Sequence, residues 1–286
     1  MGSEQRFGGD WTIEKLDIFI QYLDAYLTAL KYQKFGKIYI DAFAGTGSIT
    51  TRDGSQEISG SARLALSSKI KFDAYYFIEA DKFKAGRLES MVKEEFPEYK
   101  DRIYIRCGDA NIELAKIARQ IDWQANRALL FLDPYATQVA WSTLETVAKT
   151  GSVDVWYLFP FQALQRMLRK DGQMEQSWID CINRLLGDSS WATSFYEENP
   201  QISLFVDSAI IKSASTVDVE KYIIQRLKQI FPAVAPKPKI FYNRKNSPIF
   251  LFCFAAASNS RAAQRLALNI AGHILGNERQ KDAVIY

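Results

Sequence analysis

The chain has 286 residues, 48% apolar and 24% charged, with a formal net charge of +3. That balance excludes a fibrous or disordered chain, and the longest apolar run, Ile249–Ala257, is far too short to span a bilayer. A single histidine and three scattered cysteines, Cys107, Cys181 and Cys253, argue against a zinc site and against a Ser-His-Asp hydrolase. Free thiols and a start without an apolar signal core, MGSEQRFGGD, are expected of a cytoplasmic protein. The mild positive charge permits nucleic-acid binding without requiring it.

Asp10-Trp11-Thr12 supplies a helix start, and Leu16, Phe19, Ile20, Leu23, Leu27 and Leu30 recur on one helical face. The next stretch, KIYIDAFAGTGSIT, organises the rest of the chain. Ile38, Tyr39 and Ile40 read as a strand buried on both faces. It breaks at Asp41 and passes through Phe43 into Ala44-Gly45-Thr46-Gly47, where two glycines permit tight turning and close approach of a ligand. The third glycine of a dinucleotide fingerprint is replaced by Thr50, and no Gly-Lys-Ser/Thr follows. The turn therefore suits a nucleoside-bearing ligand without a pyrophosphate, and S-adenosylmethionine fits that description. Asp41 would meet its cationic methionine end, with Gly45 and Gly47 lying against the ligand.

Arg52–Ser59 is polar and reads as a loop, and Gly60–Leu66 as the first crossover helix. Ala74–Ile78 is a second strand ending in Glu79, the position at which doubly wound folds grip ribose hydroxyls. A helix through Phe83, Leu88 and Val92 stops at Pro97, and Arg102–Arg106 forms a third strand. Asp109 follows it, placed either to accept an adenine amino group or to cap the next helix. Ala128–Leu132 and Val153–Phe159 are the fourth and fifth strands, and alternation with helices requires a parallel sheet.

Phe161–Lys170 is helical with a basic side, and from Asp171 to about Val234 the pattern is helix after helix, an insertion within a single domain spanning residues 1–286. Lys239–Tyr242 and Ile249–Ala256 form a hairpin across a short polar turn. A final helix through Leu266, Ile270 and Ile274 would cover that edge. The expected fold is α/β, a Rossmann-like doubly wound sheet of the SAM-methyltransferase type with a C-terminal antiparallel hairpin and a helical insertion.

The fourth strand ends in Asp133-Pro134-Tyr135, similar to the Asp-Pro-Pro-Tyr motif of amino-methyltransferases with one proline missing. A conjugated exocyclic amine has little lone pair to offer, so its N–H groups need acceptors that bring it toward tetrahedral geometry. Asp133 and a neighbouring carbonyl would serve, with Tyr135 stacking on the base and no metal required.

Taken together, Trp11-Thr12 with Lys15-Leu16, Tyr39–Gly45, Gly60-Ser61 with Ala65-Leu66, Phe131–Tyr135 and Trp156–Pro160 resemble the three-Cys-motif partner proteins over most of the chain. The resemblance implies a bacterial or phage cytoplasmic protein, a methyltransferase-like fold, and a three-Cys-motif, radical-SAM-like protein as partner. Two functions follow as expectations. One is a SAM-dependent methyltransferase acting on an amino group of a nucleic-acid base, with Asp133, Pro134 and Tyr135 at the acceptor and Asp41, Phe43, Gly45, Gly47, Glu79 and Asp109 at the cofactor. The other is a non-catalytic subunit that keeps the fold and binds the three-Cys protein through the helical insertion.

Overall fold

The computed structural model describes residues 10–50, 57–199 and 210–282. Helix α1 (Asp10–Ala29) leads into strand β1 (Gly36–Asp41), and a small antiparallel pair, β2 (Ser48–Thr50) and β3 (Glu57–Ser59), follows the glycine turn. The wound part then runs α2 (Ser61–Ser67), β4 (Ala74–Glu79), α3 (Lys82–Glu95), β5 (Ile103–Cys107), α4 (Ala110–Gln120), β6 (Asn126–Leu132), α5 (Trp141–Lys149) and β7 (Val153–Phe159). Beyond it lie α6 (Phe161–Met167), α7 (Gln176–Leu186), α8 (Trp191–Phe195), the short antiparallel strands β8 (Tyr196–Glu198) and β9 (Ile210–Lys212), and α9 (Thr216–Ile230). Strands β10 (Ala233–Val234), β11 (Lys239–Tyr242) and β12 (Pro248–Ala256) and helix α10 (Arg261–Asp282) complete the chain.

The main sheet has the order β10-β12-β7-β6-β1-β4-β5, with β11 also on β12. Strands β5, β4, β1, β6 and β7 are parallel, whereas β12 runs antiparallel to β7 and to both β10 and β11. Five parallel strands wound outward from β1, with an antiparallel strand wedged beside the fifth, are the sheet of the SAM-methyltransferase type. Strand order reverses at β1, which has β4 on one side and β6 on the other. A crevice opens beyond the carboxyl ends at such a switch point.

Alternate residues of each strand supply two cores. Ile38, Ile40, Leu130, Leu132 and Val155 face α4 to α9, while Tyr39, Phe77, Phe131, Trp156 and Phe254 face α1, α2, α3 and α10. The second face is aromatic. Phe19 of α1 lies 4.3 Å from Phe131 between ring centroids, and Tyr22 lies 4.9 Å from Phe254. Burying one such phenylalanine is worth about 2–3 kcal/mol, so this face fixes α1 across the sheet.

Two sequence expectations need correction. The insertion is not helix after helix, because β8 and β9 pair inside it, two strands too short for an alternating pattern to show. Its apolar faces are also occupied: Ile182, Leu185, Trp191, Phe195, Val219 and Ile223 pack into the same core as the sheet. The last helix packs on β12 of the hairpin and on β10, as its pattern predicts. It lies on α1 and buries Ala267, Ala271 and Ile274, leaving Leu266 43% exposed. Part of the polar loop after the turn is likewise the strand β3, with residues 51–56 outside those described.

Candidate active site

A cavity of about 870 Å³ lies over the carboxyl ends of β1, β4, β5 and β6, beneath the first turns of α1. It begins with the turn that the sequence singles out. Ala42 donates to Phe131 O (3.1 Å) and Ala44 to Ile78 O (3.0 Å), so the turn is stitched to both neighbouring strands. Gly45 has φ 60° and Gly47 φ 80°, left-handed conformations that favour glycine. The two glycines differ in role. Gly45 lines the cavity, whereas a Cβ on Gly47 would meet Met91 Cε at 2.4 Å, so Gly47 serves packing on α3.

Of the residues assigned to the cofactor, Phe43, Gly45, Glu79 and Asp109 line the cavity; Asp41 and Gly47 do not. Asp41 shares a strand face with Tyr39 and is wholly buried. Its carboxylate accepts from Ser61 Oγ (2.6 Å), Tyr39 OH (3.1 Å) and the Phe43 amide (3.2 Å). Burial pushes its pKa up to about 6, and those three donors oppose the rise. Asp41 thus braces the turn from behind, which corrects its expected meeting with a ligand's cationic end.

Glu79 works from the cavity side. It accepts from the amides of Gly45 (3.0 Å) and Asp81 (2.9 Å), so the second strand's carboxylate anchors the first strand's turn. Glu79→Ala is accordingly expected to weaken binding of an adenosine ligand by about 1–3 kcal/mol, the scale of hydrogen bonds to a charged group. Calorimetry with S-adenosylhomocysteine checks this, and unchanged affinity in a folded variant would make Glu79 only a brace. Asp109 combines both sequence readings: it lines the cavity and caps α4, accepting from the amides of Asn111 (2.9 Å) and Ile112 (3.1 Å).

The opposite wall carries Asp133, Pro134 and Tyr135. Tyr135 is 56% exposed at the mouth, and Ala136 after it has φ 51°, an uncommon conformation for a residue with a Cβ. Local bonds hold this segment. Tyr135 donates its amide to Gln138 Oε1 (2.9 Å), Asn111 Nδ2 donates to Gln138 O (3.0 Å), and Arg184 donates to Thr137 O (2.8 Å). Asn111 and Arg184 have no signature in the sequence, because each acts through a backbone carbonyl far along the chain.

Two further residues come from α1. Lys15 is 3% exposed and forms an ion pair with Asp133, its ammonium 5.4 Å from the Trp11 ring centre and 5.9 Å from that of Phe131. Thr12, one turn earlier, is also 3% exposed and lines the cavity, and its Oγ1 has no hydrogen-bond partner among the described residues. The sequence held a signal for both. Continued toward its start, the buried stripe Phe19-Tyr22-Tyr26 reaches positions 15 and 12, where polar side chains replace apolar ones.

The cavity thus has an acidic end, at Asp109 and Glu79, and an end where a cation and a carboxylate stand side by side. An S-adenosyl ligand is elongated, with hydroxyls and an adenine at one end and a zwitterionic amino acid at the other. The donor set, the volume and the unpaired Thr12 hydroxyl suit it.

No protein-family profile matches the sequence, and no curated protein matches it either. Solved structures do share its outline. A Legionella pneumophila protein of the DUF519 family is 10% identical, with 89% of this chain and 90% of that one aligned and a TM-score of 0.44. Spermidine synthase from Thermotoga maritima is 12% identical over 86% of this chain and 62% of its own, with a TM-score of 0.42. Magnesium protoporphyrin IX methyltransferase from Synechocystis, solved with S-adenosylhomocysteine, is 14% identical over 87% and 90%, with a TM-score of 0.37. The fold assignment rests on the strand order of this chain and not on these likenesses.

Proposed function

We propose that the protein is an S-adenosylmethionine-dependent methyltransferase acting on an amino group of a nucleic-acid base. One observation supports this most. The wall that carries Glu79 and Asp109 and the wall that carries Asp133-Pro134-Tyr135 face a single cavity at the switch point of a methyltransferase-type sheet. S-adenosylmethionine supplies an electrophilic methyl group and a neutral thioether leaving group. The protein's share is then alignment and exclusion of water.

In this reading Glu79 and Asp109 hold the nucleoside, and Gly45 and Phe43 form the floor beneath the reacting centre. Asp133 accepts an N–H of the acceptor amine and receives the proton that is released. Tyr135, exposed at the mouth, offers a ring on which a base can stack, an interaction worth about 1–3 kcal/mol. The absent second proline leaves Ala136 to make the bend after Tyr135.

The test joins binding to transfer. Calorimetry is expected to show uptake of S-adenosylhomocysteine but not NAD, and a labelled methyl group should reach single-stranded DNA or RNA. Homocysteine-form binding without transfer to either nucleic acid would favour the non-catalytic reading, a subunit of the three-Cys-motif protein. The insertion is the proposed docking surface for that partner. Because its apolar faces are buried in the core, docking would use its polar surface, where Glu197, Glu198 and Asp218 mix with Arg184 and Lys221. Co-purification that survives charge reversal of all five residues would remove the docking proposal.

A further inference from the structure

We infer that Thr12 and Lys15 form the subsite for the α-carboxylate of the S-adenosyl ligand's amino-acid tail. This deepens the methyltransferase reading and rests on it. The inference follows from where the elements put charge. Across the carboxyl edge of the sheet the strand order β5, β4, β1, β6 lays out Asp109, Glu79, the Gly45 turn and Asp133 in sequence. A ligand whose nucleoside lies at the β5–β4 end sends its tail past Gly45 toward β6. Asp41, the acid expected there, is turned away and saturated by three donors.

What the tail meets instead is α1. Thr12 and Lys15 are three residues apart on one helical face, and both line the cavity. The Thr12 hydroxyl is buried without a partner among the described residues, a costly arrangement unless something fills it. Lys15 carries three N–H donors on its ammonium, and among the described residues that group bonds one partner, Asp133. A carboxylate reaching this point would take donors from Lys15 and Thr12 together. Trp11 and Phe131 flank the ammonium at cation–π distance and hold it at the cavity wall.

The test compares S-adenosylhomocysteine with 5′-methylthioadenosine, which keeps the nucleoside and lacks the amino-acid tail. Lys15→Met is expected to weaken S-adenosylhomocysteine about 10–100-fold while changing 5′-methylthioadenosine less than about 2-fold, a carboxylate–ammonium bond being of that strength. Thr12→Val should cost the tailed ligand about 5-fold and the truncated one nothing. If Lys15→Met does not fold because Asp133 is left unpaired, Lys15→Met with Asp133→Asn keeps the comparison. A ratio of affinities for the two ligands equal to that of the wild type in Thr12→Val and in the folded Lys15 variant overturns the inference and leaves the methyltransferase reading standing. Wild-type protein that takes up neither ligand overturns both.

Discussion

Asp133→Ala is expected to abolish methyl transfer, by about 10³-fold or more, and to lower stability by about 2–3 kcal/mol. Two separate losses are involved. The first is the acceptor's positioning group, and removing one preorganised polar partner of a reacting atom costs about 10²–10³-fold even where others remain. The second concerns Lys15, 3% exposed, which would lose its counter-charge. Breaking a buried pair costs about 3–5 kcal/mol, reduced here because the Asp133 side chain is 28% exposed to the cavity. The double variant Lys15→Met with Asp133→Ala should regain most of the stability and none of the activity. Denaturant unfolding of the four proteins gives the coupling, and single-turnover transfer gives the chemistry. A double variant whose loss equals the sum of the two single losses would show that the pair contributes nothing to the fold.

The second large effect is a pH dependence at Asp41. Its pKa rises from the usual 3.8 to about 6, chiefly by burial. A raised folded-state value means that the folded protein binds the proton more tightly than the unfolded chain. The corresponding stability is present below about pH 4 and is lost as pH climbs through about 6. Over two units that amounts to at most about 3 kcal/mol. Other carboxylates also titrate with acid, Asp154 raised by burial as Asp41 is and Asp188 lowered, so the comparison must be with Asp41→Asn. That variant keeps an acceptor for the Phe43 amide and removes the titration, and the Ser61 and Tyr39 hydroxyls can turn to accept from its amide. The stability of Asp41→Asn relative to wild type should therefore fall by about 2–3 kcal/mol between pH 7 and pH 4. A constant difference across that range would show that Asp41 keeps its ordinary titration in the fold.

The central parallel strands were legible because each is buried on both faces and so appears as an apolar run, as in Ala128–Leu132 and Val155–Phe159. The hairpin was legible for the opposite reason, two such runs around Asn243–Ser247. The small pairs β2–β3 and β8–β9 were not, since three residues cannot show a period and their partners are set by the tertiary fold. In the site, a strand-end acid can be located by counting but its direction cannot. Asp41 follows Tyr39 by two residues and must share its face, a rule that would have turned it from the ligand to α2. Lys15 lay within a motif whose resemblance was noted, yet helix periodicity reports which side is buried and not what a buried charge faces.

The position of α1 carries a further consequence, for the order in which the protein can be made. Trp11 rests on Phe241 and Phe250, Tyr22 on Phe254, and Glu14 pairs with Lys239. The helix that roofs the cavity therefore has its berth on β11 and β12, which follow it by most of the chain's length. While the ribosome is still elongating, Phe19 and Tyr26 can already pack on Phe131 and Phe72, but Trp11 lacks Phe241 and Phe250, and Tyr22 lacks Phe254. The cavity would be among the latest features of the protein to mature.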